Sequence, residues 1–174
     1  MGGRQAAKPP VAPEDPGQTD FGHRRRGPSL ILYLDTSALL KDYLEEEGAA
    51  VVREAIARAS RLATSVITYV EARSALARRR HAGDLSAAEY RHVVRRLDDA
   101  WERLLRLDVS DGLLGEAARL AEKHVLRAYD AIHLGSAVLL RSQLGTDITL
   151  ASWDDELDAA AARERFTVLR ARRR

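Results

Sequence analysis

Residues 30–34, Leu-Ile-Leu-Tyr-Leu, form an unbroken apolar run that stops at Asp35. A strand with one solvated face alternates apolar and polar side chains. A run without alternation suits a strand buried on both faces, as in a parallel sheet covered by helices. The runs 148–151 and 166–169 have the same character, and 62–65 and 107–109 are shorter candidates. Helical stretches separate them, at 37–46, 49–60, 67–80, from Ser110 or Asp111 to about His124, at 129–143 and at 154–162. A further helix starts at Ser86, with Glu89 three residues on as a capping box. Its apolar stripe reads Tyr90, Val94, Leu97, Trp101, Leu104 and Leu105. Strands alternating with helices predict an α/β fold whose mostly parallel sheet is covered on both sides.

The 174 residues divide unevenly. All five prolines fall within residues 1–29, which read as a disordered leader; residues 30–174 read as one folded domain. The basic run His23 to Arg26 in the leader reads as a solvated tail. The net charge of +2 hides an acidic core. Residues 30–169 hold 19 basic and 23 acidic groups, net −4, and four of the last five residues are arginine. The absence of cysteine excludes disulfides, thiolate zinc sites and cysteine nucleophiles, and suits a reducing, cytoplasmic setting. No apolar run is long enough to span a bilayer, so no membrane association is expected.

Four acids lie in apolar or small-residue windows, where a carboxylate costs several kcal/mol unless donors or cations compensate. They are Asp35, Glu71, Asp130 and Asp154. Asp35 directly follows the first strand, and Asp154 follows the strand 148–151 by three residues. Ligands of open parallel sheets gather at such carboxyl ends. Glu71 and Asp130 fall on helices that would pack beside that edge. Gathered carboxylates repel one another, and a divalent cation relieves this. Oxygen-only donors favour Mg²⁺ or Mn²⁺ over zinc. A cation held in this way activates water and clamps the oxygens of a phosphodiester. Each acid also has an ordinary structural role open to it. Asp35 and Asp154 suit helix N-caps, Asp130 a helix dipole, and Glu71 an ion pair.

The segment 34–41, Leu-Asp-Thr-Ser-Ala-Leu-Leu-Lys, resembles the opening strand and turn of PIN-domain nucleases, in particular VapC-type toxins of toxin–antitoxin pairs. Glu71 in Thr-Tyr-Val-Glu-Ala-Arg-Ser-Ala resembles the family's helical glutamate. Tyr129-Asp130-Ala131-Ile132-His133-Leu134 resembles its third acidic segment, and 150–157 its fourth, with Asp155 as a rival to Asp154. The resemblance spans residues 30 to about 169. It implies a three-layer α/β/α sandwich and an Mg²⁺- or Mn²⁺-dependent endoribonuclease acting on RNA. It also implies a homodimer and inhibition by a cognate antitoxin. Carried over, Asp35, Glu71, Asp130 and Asp154 hold the metal, and the hydroxyls of Thr36, Ser37 and Ser152 support them. The 29-residue leader departs from the family pattern. A PIN-like RNA-binding or scaffold module without turnover is the alternative, and a nuclease of DNA or structured RNA a third.

RNA reaching an acidic centre needs a basic rim, for which Lys41, Arg73, Arg78 to Arg80, Arg127 and the terminal arginines are candidates. Aromatics are only 5%, which disfavours a base-stacking platform. Two acid-x-x-His pairs, Glu89–His92 and Asp130–His133, suggest a di-iron helical bundle. The strand-like 30–34 does not belong in one, and His133 reads as a packing histidine.

Overall fold

The computed structural model describes residues 30–169; the leader 1–29 and the terminal arginines lie outside the described residues. The chain runs β1 (Ile31–Leu34), α1 (Thr36–Tyr43), α2 (Ala49–Arg58), β2 (Arg61–Ser65), α3 (Ile67–Ala82) and α4 (Ala87–Trp101). It continues with β3 (Leu105–Leu107), α5 (Asp111–His124), α6 (Ala128–Leu144), β4 (Ile148–Ala151), α7 (Asp155–Arg163) and β5 (Thr167–Leu169). The sheet is parallel throughout, in the order β3-β2-β1-β4-β5.

The central position of β1 explains its unbroken apolar run. Ile31 and Tyr33 enter one core, built with side chains of α5, α6 and α7. Leu32 and Leu34 enter the other, built with α1, α2, α3 and α4. Successive strand residues point to opposite faces, so a strand flanked by helices on both sides is apolar at every position. The result is a three-layer α/β/α sandwich.

The strand order reverses direction at β1. The chain first builds outward through β2 and β3, then crosses back to place β4 on the other side of β1. Loops leaving β1 and β4 therefore diverge over opposite faces, and a crevice opens between their carboxyl ends. Asp35 and Ser152 are the residues that immediately follow those two strands.

Three sequence expectations shift. The stripe on α4 does not extend to Leu104 and Leu105, because the helix ends at Trp101. Its fully buried face is Val93 and Leu97, with Tyr90, Val94 and Trp101 half-buried. Leu105 instead pairs with Ala63 of β2, so the third strand is 105–107 rather than 107–109. An apolar pair that happens to continue a helical period cannot be told from a strand start by periodicity. The first helix ends at Tyr43, earlier than residue 46, and Gly48 (φ +85°) turns the chain into α2. An added Cβ at Gly48 would lie 2.5 Å from the Trp153 ring. That position therefore needs glycine for both its backbone and its neighbour. Among the described residues no helix is long and apolar enough to cross a membrane.

Candidate active site

Asp35 sits where β1 meets α1, and its backbone N–H donates to the Ala151 carbonyl at 3.0 Å, tying the ends of β1 and β4 together. Asp35 as a whole is 6% exposed. Oδ1 accepts from Ala38 N–H at 2.7 Å, which makes Asp35 the N-cap of α1. Ser37 Oγ donates within reach of both oxygens, at 2.8 and 2.9 Å, and Ser152 Oγ donates to Oδ2 at 3.0 Å. The same two hydroxyls accept from the loop after β4. Trp153 N–H donates to Ser37 Oγ at 2.8 Å and Asp154 N–H to Ser152 Oγ at 3.0 Å. Asp154 then caps α7, its Oδ1 accepting from Glu156 and Leu157 N–H. The N-cap role and the cleft role thus coincide in both aspartates.

The other two acids arrive from helices on opposite faces of the sheet. Glu71 of α3 accepts through Oε2 from Thr36 Oγ at 2.6 Å and from His133 Nε2 at 2.9 Å. Asp130 lies in the first turn of α6, and Arg127 bridges it to Asp154. Arg127 Nε donates to Asp130 Oδ2 at 2.8 Å, and an Nη donates to Asp154 Oδ2 at 2.6 Å. All four acids line one cleft of about 330 Å³, together with Thr36, Ser37 and His133. Ser152 lies just beneath, against Asp35.

At one end of this cleft stand Lys41, Arg78 and Arg79. Glu46 holds two of these cations, accepting from Lys41 Nζ at 2.9 Å and from Arg79 at 2.7 Å. Lys41 is buried and also lies 5.0 Å from the centre of the Trp153 ring. Of the other proposed rim arginines, Arg127 lines the cleft, the terminal ones lie outside the described residues, and Arg73 and Arg80 point elsewhere. Arg73 donates to Tyr69 and pairs with Asp98, and Arg80 lies over the Tyr90 ring.

Burial pushes the Asp35 carboxyl above its ordinary range; the charge of His133 and the donors Ala38, Ser37 and Ser152 offset only part of this. Asp130 is likewise raised by burial, with Arg127 opposing and Asp154 reinforcing the rise. Glu71 goes the other way. Burial acts upward there too, but the hydrogen bonds from His133 and Thr36 and the charges of His133 and Arg127 outweigh it and hold the group low.

Among the described residues, no three acidic, histidine or cysteine side chains stand already grouped to grip an ion. The donor set nevertheless fits a hard divalent cation. It is all oxygen, two of its carboxylates are raised by burial, and Asp130 and Asp154 already share one positive group, the Arg127 guanidinium.

Asp155, the sequence rival for the fourth acid, is exposed on α7 and does not line the cleft, whereas Asp154 does. Glu89 and His92 are exposed on α4, where Glu89 only closes its capping box. His133 is more than a packing histidine. It is 2% exposed yet reaches Glu71, and it lines the cleft. The available signal was its spacing, three residues after Asp130 and so on the same helical face.

A PIN domain family model matches residues 32–163. The chain belongs to the PIN domain family. Two relatives of this PIN domain chain are ribonucleases VapC45 and VapC49 of Mycobacterium tuberculosis. Each is 28% identical over 131 residues, spanning 75% of this chain and 89% of the relative. Among solved structures, a toxin–antitoxin complex from Klebsiella pneumoniae superposes with a TM-score of 0.52 at 20% identity. It covers 71% of this chain and 86% of that one, a likeness of fold. The PIN match takes in all four cleft acids.

Proposed function

We propose that this PIN domain protein is a divalent-metal-dependent endoribonuclease and the toxin of a toxin–antitoxin pair. The observation that carries this reading is the convergence of Asp35, Glu71, Asp130 and Asp154, from four separate elements, on one cleft where the strand order reverses. The ribonuclease relatives and the toxin–antitoxin neighbour support the substrate class and the partner.

The four carboxylates would hold Mg²⁺ or Mn²⁺, which supplies an activated water and neutralises charge on the phosphodiester. Ser37 and Ser152 fix the Asp35 carboxylate, and Thr36 fixes Glu71, so that the donors are oriented before an ion arrives. Lys41, buried against Glu46, offsets the acidic interior, and Arg78 and Arg79, which also line the cleft, would meet the RNA backbone. Arg127 is exposed and spans Asp130 and Asp154, two of the carboxylates that would hold the ion, and its guanidinium lies where it could also meet a phosphate. A cytoplasmic homodimer held by its antitoxin belongs to the same reading. Residues 30–174 are the nuclease domain in this reading.

The test is incubation of the antitoxin-free protein with total cellular RNA. Cleavage at defined ends with Mg²⁺ or Mn²⁺, abolished by EDTA, is expected. RNA that stays intact with either ion, or cleavage undiminished by EDTA, would contradict the proposal.

A further inference from the structure

We propose that His133, backed by Tyr33, is the positioning residue of Glu71, holding one carboxylate oxygen so that the other is left to the cleft. The inference rests on the nuclease reading above and assigns a role to a residue that reading does not use.

The geometry is a chain through three elements. Tyr33 of β1 is fully buried, and its hydroxyl lies 3.1 Å from His133 Nδ1. His133 of α6 places Nε2 2.9 Å from Glu71 Oε2 on α3. Thr36 Oγ reaches the same oxygen at 2.6 Å and lies 3.4 Å from Nε2. Both donors thus end on Oε2, leaving Oε1 free for another partner.

The direction of each bond follows from the groups. A carboxylate only accepts, so Nε2 must carry the hydrogen that points to Glu71. In its neutral form the imidazole then has a bare Nδ1, which accepts from the Tyr33 O–H; the charge that lowers Asp35 and Glu71 belongs to the protonated ring. Burial drives the Tyr33 hydroxyl far above its ordinary range, so it keeps its proton and serves as that donor. The two rings meet edge to face, at 76° and 6.1 Å between centres, which resists rotation of the imidazole.

The test compares His133→Leu, which removes the donor but keeps bulk, with His133→Gln, which keeps an N–H at similar reach. Mn²⁺ affinity is read by calorimetry without RNA, and kcat and KM on RNA are read separately. Partners of metal ligands are typically worth about 10–100-fold. His133→Leu is therefore expected to weaken Mn²⁺ binding by about that factor and to lower kcat more than it raises KM. His133→Gln is expected to recover most of both. Nitrogen NMR of the wild type in mildly alkaline buffer should show Nε2 protonated and Nδ1 bare. Tyr33→Phe should keep the Nε2–H tautomer, since the Glu71 carboxylate still only accepts, and weaken Mn²⁺ binding less than His133→Leu does. An Nδ1–H tautomer in the wild type overturns the proposal, and that measurement needs no folded variant. Wild-type affinity and kcat in His133→Leu, or equal defects in both histidine variants, also overturn it while leaving the nuclease reading intact. A wild type that neither binds Mn²⁺ nor cuts RNA overturns the nuclease reading and this proposal with it.

Discussion

Asp35→Asn is expected to abolish RNA cleavage, by roughly 10³-fold or more, while leaving the protein as stable as the wild type or more stable. The loss follows from its position. Asp35 is the most buried of the four cleft acids and the one fixed by the ends of both β1 and β4. The gain in stability follows from its environment. All of its hydrogen bonds come from hydroxyls and one backbone N–H, so the buried charge is never fully compensated. Its carboxyl is raised above the ordinary range, so the folded state binds this proton more tightly than the unfolded state. Stability from this group is then present in acid and lost as pH rises through the raised value. Asparagine does not titrate, keeps an acceptor for Ala38 N–H and avoids that loss. Urea melts should show the two proteins closest in acid, with the variant pulling ahead toward neutral pH. A variant that cuts RNA normally, or one that loses stability relative to the wild type as pH rises, would contradict this account.

The second large effect separates two duties of one side chain. Asp154 caps α7 through Oδ1 and faces Arg127 and the cleft through Oδ2. Asp154→Asn preserves an N-cap oxygen, since asparagine caps about as well as aspartate, but removes the charge. Asp154→Ala removes both. Cleavage should fall by about 10²–10³-fold in each variant, by analogy with the loss of one preorganised electrostatic group. Only the alanine variant should also lose about 1 kcal/mol from the missing cap, or about 2–4 °C in Tm for a domain of this size. Equal thermal stability of the two variants would remove the cap from the account. Cleavage retained by the asparagine variant would remove Asp154 from the proposed metal-binding set.

The parts of this molecule legible in its sequence are those where one local requirement dominates. The run 30–34 announced a doubly covered strand because burial on both faces leaves no polar position. Ser86 and Glu89 announced a helix start because the capping box is a contact between residues three apart. Asp35, Glu71, Asp130 and Asp154 stood out because an acid among small or apolar neighbours demands a reason. The edge strand β3 was misplaced by two residues, since three residues with an exposed arginine in the middle carry almost no pattern. His133 escaped because its partner, Glu71, lies 62 positions away on a helix across the sheet. Arg127 was recognised as basic rim, but its bridge to Asp154 depends on the crossover that sets β4 beside β1. Long-range juxtapositions of this kind follow from strand order, which no local window encodes.

The most direct test of the proposed shared metal site is calorimetric titration of Mn²⁺ into the wild type and into Asp35→Asn, Glu71→Gln, Asp130→Asn and Asp154→Asn, without RNA. Saturable binding by the wild type, weakened in all four variants, is the expected result. Variants that bind Mn²⁺ as tightly as the wild type would show that these carboxylates do not form one cation site.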